Sequence, residues 1–301
     1  MSVDACPGIG QRAVGAYLGL AVGDALGATV EFLTPREIRE RYGVHRDICG
    51  GGWPRLKPGQ VTDDTQMSLA LGDAILNSRG VDAGAVAESF SDWMRGKPVD
   101  IGNTVRRGLV SYRSSGKAVV PESEYDAGNG ACMRCLPVAL AYWRQPEEKL
   151  CTASRLQCHV THNNAVSDAG TETVLRMVVA ALTGRPKESL QQLADELAHR
   201  HAVFRYMERR VENPGGWIVE TLQAVFQAVF SNHGFESILV DVVNRGGDAD
   251  TTGAIAGMLA GAYCGPDAIP DRWLEVLDDD TRKACRKQAL DLISLAGQLV
   301  H

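Results

Sequence analysis

No stretch of the chain reaches the roughly 18 apolar residues a membrane span needs. Concentrated basic charge is also missing: 31 Lys and Arg stand against 37 Asp and Glu, for a net charge of −6. The densest basic stretch, RYMERRVE at 205–212, carries two glutamates. It reads as a solvated helix face, and nothing suggests a nucleic-acid partner. The opening MSVDACPGIG has neither the basic start nor the apolar run of a secretion signal. The expectation is a cytoplasmic protein whose eight cysteines are mostly reduced thiols. Strand alternation and any βαβ rhythm are lacking too, which leaves an all-α class.

Three motif-like stretches carry no chemistry. GIGQRA (8–13) imitates a dinucleotide fingerprint but has no strand before it. CMRC (132–135), with Cys151 and Cys158 downstream, lacks the second close pair of a zinc knuckle and the βαβ setting of a redox motif. Those cysteines read as core. EVLDDD (275–280) lacks the ligand spacing of a calcium loop and reads as a solvated acidic loop.

What is present is helical periodicity, over 12–32, 63–78, 83–94, 167–184, 189–207, 217–231, 236–244 and 281–300. No linker divides these segments, so one domain over 1–301 is expected. Two glycine ladders at spacing four, Gly15–Gly19–Gly23–Gly27 and Gly253–Gly257–Gly261–Gly265, each bare one helix face for close backbone packing. The stretch 42–60, YGVHRDICGGGWPRLKPGQ, breaks the pattern with five glycines and two prolines. It is either a lid or binding loop, or a surface insert.

Two acidic clusters head apolar helices. VTDDTQMSLAL supplies Thr62, Asp63, Asp64 and Thr65; NRGGDADTTGAIAG supplies Asp248, Asp250, Thr251 and Thr252. Either cluster alone could be a helix cap. A cap needs one oxygen, however, and each cluster offers two carboxylates plus hydroxyls. Four carboxylates side by side in a low-dielectric interior repel unless cations separate them. The donors are all oxygen, which suits Mg²⁺ or Mn²⁺ and disfavours structural zinc. Four aspartates would balance two divalent ions, a known catalytic pairing.

These residues resemble the ADP-ribosylglycohydrolase family. LGLAVGDALGATVEF, TDDTQM, GNGACMRCLPVA, THNNAVSDAG, WIVETLQAVF and NRGGDADTTGAIAGMLAGAYCG match its motifs in order, from residue 18 to 265. KPVDIGNTVRRGL (97–109) and GGGWPRLKPGQ are similar to those members that free an arginine of dinitrogenase reductase, nitrogenase's iron protein, from ADP-ribose. The resemblance implies a compact orthogonal multi-helix bundle with a binuclear metal cleft for two Mn²⁺ or Mg²⁺ ions. It implies Thr62, Asp63, Asp64, Asp248, Asp250 and Thr251 as metal ligands. Glu31 would stand near metals and substrate, and Asp100 would be the catalytic acid/base. Gly128, Asn129, Gly130 and His162 would line the ADP-ribose pocket. Trp217 stands where the family often has Tyr; an aromatic wall survives there without the phenolic hydroxyl. A monomer is expected, acting on an ADP-ribosylated protein. By the same resemblance, a PII signalling protein would hold it reversibly at a membrane.

By residue type alone, Asp100 is a loop aspartate that could simply form a turn. His159 reads as an N-terminal turn histidine. His162 reads as a donor to phosphate or a stacking partner for a base. Two rival functions fit parts of the pattern: a binuclear-metal phosphohydrolase acting on a nucleotide, and a catalytically silent ADP-ribose-binding module. The intact acid clusters and Asp100 weigh against the second.

Overall fold

The computed structural model describes residues 8–299. The opening residues 1–7, including Cys6, and the last two residues of the chain lie outside the described residues. Fourteen α-helices account for most of the described chain. In order they are α1 (Ile9–Gly27), α2 (Pro35–Tyr42), α3 (Asp63–Ser78), α4 (Ala83–Arg95), α5 (Asn103–Ser115), α6 (Leu136–Tyr142) and α7 (Glu147–Cys158). Then follow α8 (Ala165–Leu182), α9 (Lys187–Arg200), α10 (Ile218–Ser231), α11 (Phe235–Val243), α12 (Ala249–Cys264), α13 (Asp271–Val276) and α14 (Asp279–Ala296). Among the described residues the only extended pairings are two isolated bridges, Gly51 with Leu56 and Gly128 with Trp217. No helix among them is long and apolar enough to cross a membrane.

The centre is the pair α1 and α12, buried on nearly every face, as helices apolar all round must be. The glycine ladders face each other. A Cβ on Gly19 would stand 2.2 Å from the Gly257 carbonyl oxygen, and one on Gly23 would stand 2.0 Å from that of Gly253. Backbone therefore packs on backbone, and α3, α8, α10, α11 and α14 close around the pair.

Two helices are shorter than their periodicity suggests. The segment 12–32 leaves the helix at Gly27 and turns through residues 28–32, with Phe32 at φ 61°. The turn swings Glu31 off the helix axis toward α12. The segment 189–207 ends at Arg200, followed by a 3₁₀ turn, Ala202–Phe204. Side chains of α10 take over the freed carbonyls: Gln223 donates to Val203 and Arg205, and Gln227 donates to Tyr206.

The stretch 42–60 is pinned along its length. The His45 backbone pairs with the Asn244 side chain (2.9 and 2.7 Å), and Trp273 Nε1 donates to the Arg46 carbonyl (2.9 Å). Gly50, Gly51 and Gly52 all have positive φ, and a Cβ on Gly52 would stand 2.3 Å from the Ala28 oxygen. This is no loose insert; it is seated on the 28–32 turn. The seven described cysteines are free, and Cys132 and Cys135 are buried, as a core role requires. In the acidic stretch 275–280, Asp278 caps α14 by accepting from the Thr281 backbone at 2.8 Å.

Candidate active site and metal centre

A cleft of about 460 Å³ opens where the heads of α3, α5 and α12 meet. Asp63, Asp248, Asp250 and Thr251 form its floor; Asp100–Val105 form one wall, and Glu31, Phe32 and Trp53 another. Gly128, Asn129, Gly130 and His162 line the far end. Gly246 and Gly247, at φ 71° and 68°, turn the chain into α12 and so aim Asp248 and Asp250 at the floor. Side chains there would collide with the Leu33 and Pro214 carbonyls.

Neither N-cap side chain is spent on capping, although Asp250 Oδ1 accepts from the Thr251 N–H at the head of α12 (2.8 Å). Thr62 and Asp248 occupy the N-cap positions of α3 and α12 without side-chain cap hydrogen bonds. The head of α3 is capped from outside, by Asp24 of α1. Its carboxylate accepts from the Thr62 backbone N–H (3.0 Å), the Thr65 backbone N–H (3.1 Å) and the hydroxyls of both threonines. The Thr62 hydroxyl has one proton, and Asp24 at 2.8 Å is its nearest acceptor. Asp64 and Asp250 stand 3.3 and 3.4 Å from the same oxygen and receive no proton from it.

Two carboxylate sets gather ligand atoms within 4.8 Å of one another: Asp63, Asp64 and Asp250, and Glu31, Asp100 and Asp250. Asp250 belongs to both. Thr62 and Thr251 are buried beside them. Asp248 stands outside the two sets; its Oδ2 accepts from Asn129 Nδ2 at 2.7 Å. Burial, then mutual repulsion, pushes Asp63 up to about 8 and holds Asp64 and Asp250 well above the ordinary carboxylate range. Burial lifts Asp24 to about 6 against the hydrogen bonds it accepts. Among the described residues no Lys, Arg or His forms an ion pair with any of these acids, and buried Asp64 Oδ1 has no hydrogen-bond partner. The site is short of positive charge. Its donors are oxygens only, which fits hard divalent cations.

Glu31 is also buried, and desolvation raises it to about 9, against a hydrogen bond from Trp53 Nε1 at 2.6 Å. Trp53 brings the glycine-rich 42–60 stretch to the cleft and lies against Phe32, ring centroids 5.8 Å apart. Asp100 is half-buried. Its Oδ1 accepts from the Ile101 N–H at 2.6 Å, and desolvation raises its pKa.

At the far end, His162 is almost fully buried, and burial followed by the charges of Arg134 and Arg107 depresses it to about 3. A Cβ on Gly128 or Gly130 would stand 2.9 Å from its ring, so these glycines leave space beside the imidazole. The Trp217 backbone pairs with Gly128, while its side chain is 44% exposed. His159 lies elsewhere, 2.9 Å from Asp168, in a depression of about 500 Å³. There Arg155 pairs with Glu172 and Arg176 with Glu147.

Sequence reasoning passed over three residues here: Asp24, Trp53 and Arg134. Asp24 left a signal, a lone acid inside a glycine-laddered apolar helix. Trp53 sat unremarked in GGGWP, and Arg134 sat inside a cysteine motif set aside as core.

Fold and site together define a helical protein with an oxygen-lined, cation-seeking cleft. A family model described as ADP-ribosylglycohydrolase matches residues 6–301. The chain belongs to the ADP-ribosylglycohydrolase family. It is 48% identical to the ADP-ribosyl-[dinitrogen reductase] glycohydrolase of Rhodospirillum rubrum, over 97% of this chain and 98% of that one. It is 34% identical to an ADP-ribosylarginine hydrolase of Pseudomonas putida, over 88% of this chain and 74% of the other. Among solved structures, an ADP-ribosylglycohydrolase-related protein complex superposes with a TM-score of 0.85 at 37% identity, covering 96% and 99% of the two chains.

Proposed function

We propose that the protein is a metal-dependent hydrolase that removes ADP-ribose from an ADP-ribosylated arginine of a target protein, dinitrogenase reductase, and so reactivates it. One observation carries the reading: two carboxylate sets share the buried Asp250 on the floor of a cleft whose far end is the glycine-spaced His162 pocket. The 48% identity to the Rhodospirillum rubrum enzyme over nearly the whole of both chains supports the target. The chain acts as a single domain.

Thr62, Asp63, Asp64, Asp248, Asp250 and Thr251 would hold two divalent ions, Mn²⁺ or Mg²⁺, with Glu31 beside them. When bound, the ions supply charge that orients ribose hydroxyls and favours deprotonation of a water. The chain's own residues do the rest. The bond broken joins the ribose anomeric carbon to a guanidinium nitrogen; water supplies the hydroxyl to carbon and the proton to the departing arginine. Asp100 would carry that proton on Oδ2, the oxygen not taken by Ile101. Phe32 and Trp53 shield Glu31 from bulk water at the rim. Gly128 and Gly130 make room for the ADP-ribose beside His162.

The test is product analysis on ADP-ribosylated dinitrogenase reductase and on free ADP-ribosyl-arginine. Release of ADP-ribose with unmodified arginine is expected. AMP or a phosphoribosylated protein as main product would support the phosphohydrolase rival, and binding without turnover would support the silent module.

A further inference from the structure

Arg134 is fully buried and forms no ion pair among the described residues. Its guanidinium lies 4.5 Å over the Phe90 ring and donates to neutral acceptors only: Gln157 Oε1 (3.1 Å), the Gln157 carbonyl (3.1 Å), Thr161 Oγ1 (2.8 Å) and the Met67 sulfur (4.0 Å). A buried cation without an ion-pair partner is costly, which directs attention to what its donors hold in place. Thr161 Oγ1 leads onward, lying 2.8 Å from His162 Nδ1. Arginine can only donate, so at that contact the threonine oxygen accepts. Its one proton then has a single acceptor in reach, Nδ1. Were Nδ1 protonated, ring and guanidinium would both donate to the oxygen, and the hydroxyl proton would be buried with no acceptor, an unfavourable state.

We propose that Arg134 and Thr161 are positioning residues that hold His162 in the neutral Nε2–H tautomer, so that the ring offers a hydrogen-bond donor to an acceptor oxygen of the bound ADP-ribose. A second feature fits. The Nε2 edge of the ring lies against Gly128, where a Cβ would stand 2.9 Å from Nε2, so the glycine keeps that edge open to the cleft. The positive charge of Arg134 also opposes protonation of the ring, which keeps Nδ1 free to accept. The chain of donors runs one way, from guanidinium to hydroxyl to imidazole to ligand. The tautomer follows from geometry alone; the ligand rests on the function proposed above.

The experiment uses full-length protein with isotope-labelled histidine. Two-bond ¹H–¹⁵N correlation at neutral pH reads which ring nitrogen is protonated, with His162→Gln to assign the signals. Wild type and Thr161→Ser are expected to show one Nε2–H tautomer with a hydrogen-bonded Nδ1. The near-isosteric Thr161→Val is expected to show mixed tautomers or an unbonded Nδ1. Calorimetric affinity for ADP-ribose should fall about tenfold in Thr161→Val, the worth of one hydrogen bond, and return in Thr161→Ser. A protonated Nδ1 in wild type, or a Thr161→Val spectrum identical to wild type, overturns the relay. A changed spectrum with unchanged ADP-ribose affinity overturns the donor role. If wild type binds no ADP-ribose, the proposed function fails, while the spectra still decide the relay.

Discussion

Asp250 is the one acid common to both carboxylate sets. Asp250→Ala should therefore disturb both sets at once: ion binding should weaken, and turnover should be lost. Mn²⁺ titration by calorimetry checks this; two ions per chain bound at unchanged affinity would refute the shared-ligand assignment. Asp100→Asn keeps an Oδ1 acceptor for the Ile101 N–H and removes only the titratable oxygen. Turnover should fall about 10²–10⁴-fold, the usual worth of general acid–base catalysis, with ADP-ribose affinity near wild type. Single-turnover kinetics beside calorimetry separate that outcome from two others: near-normal turnover, which points to Glu31, and lost ion binding, which makes Asp100 a ligand. The acids at 63, 64, 248 and 250 were legible because adjacent carboxylates ahead of an apolar run exceed any capping need. Asp24 was not, because its partners Thr62 and Thr65 lie 38 and 41 positions away, and only the fold joins them.

The helix pair α1 and α12 sets the distance between Asp24, Glu31 and Asp250. Gly23→Ala would place a methyl 2.0 Å from the Gly253 carbonyl oxygen, beside Asp24. The helices must part, and such overpacking typically costs about 1–3 kcal/mol. Thermal stability should drop, and Mn²⁺ affinity should drop with it because both carboxylate sets widen. Gly10→Ala, which meets only a Leu290 methyl at 3.5 Å, should lower neither. The glycine spacing made this pair readable before any coordinates, as did the long periodic helices. Shorter elements were illegible for particular reasons. In α7 the buried face includes Ser154 and Gln157, so no apolar stripe shows; α6 is buried nearly all round and has no polar face to set a period. The turn at 28–32 was hidden because Ala28, Val30 and Phe32 add apolar residues directly after α1 and no proline marks the break.

Over the whole molecule, the buried acids make stability depend on pH and on cations together. Asp63 and Glu31, lifted to about 8 and about 9, hold protons in the fold that the unfolded chain gives up near pH 4. Their contribution is present in full at low pH and is lost as pH rises through those values. His162 acts in the opposite direction but only below about 6.5, because it is held near 3 in the fold. Chelator-treated protein should therefore melt at progressively lower temperature from pH 7 to pH 9. Saturating Mn²⁺ or Mg²⁺ should flatten that slope by binding the ionised acids. A melting temperature that stays level over this range without cations would show that the acids are already ionised in the fold. This behaviour was not legible from the chain alone, since each shift depends on how much water the assembled cleft excludes.

Backbone packed on backbone between α1 and α12 also fixes the order in which the molecule opens. No side chain between the two helices can swing aside to admit water, so their amide protons are reached only when the fold comes apart as a whole. In deuterated solvent, Ala16–Asp24 and Ala254–Gly261 should be the slowest segments to exchange, at a rate set by global unfolding. The amides of Gly52 and Trp53 are neither helical nor buried and should exchange far sooner. Solvent thus reaches the rim of the cleft directly, while the helices beneath its floor admit it only on global unfolding.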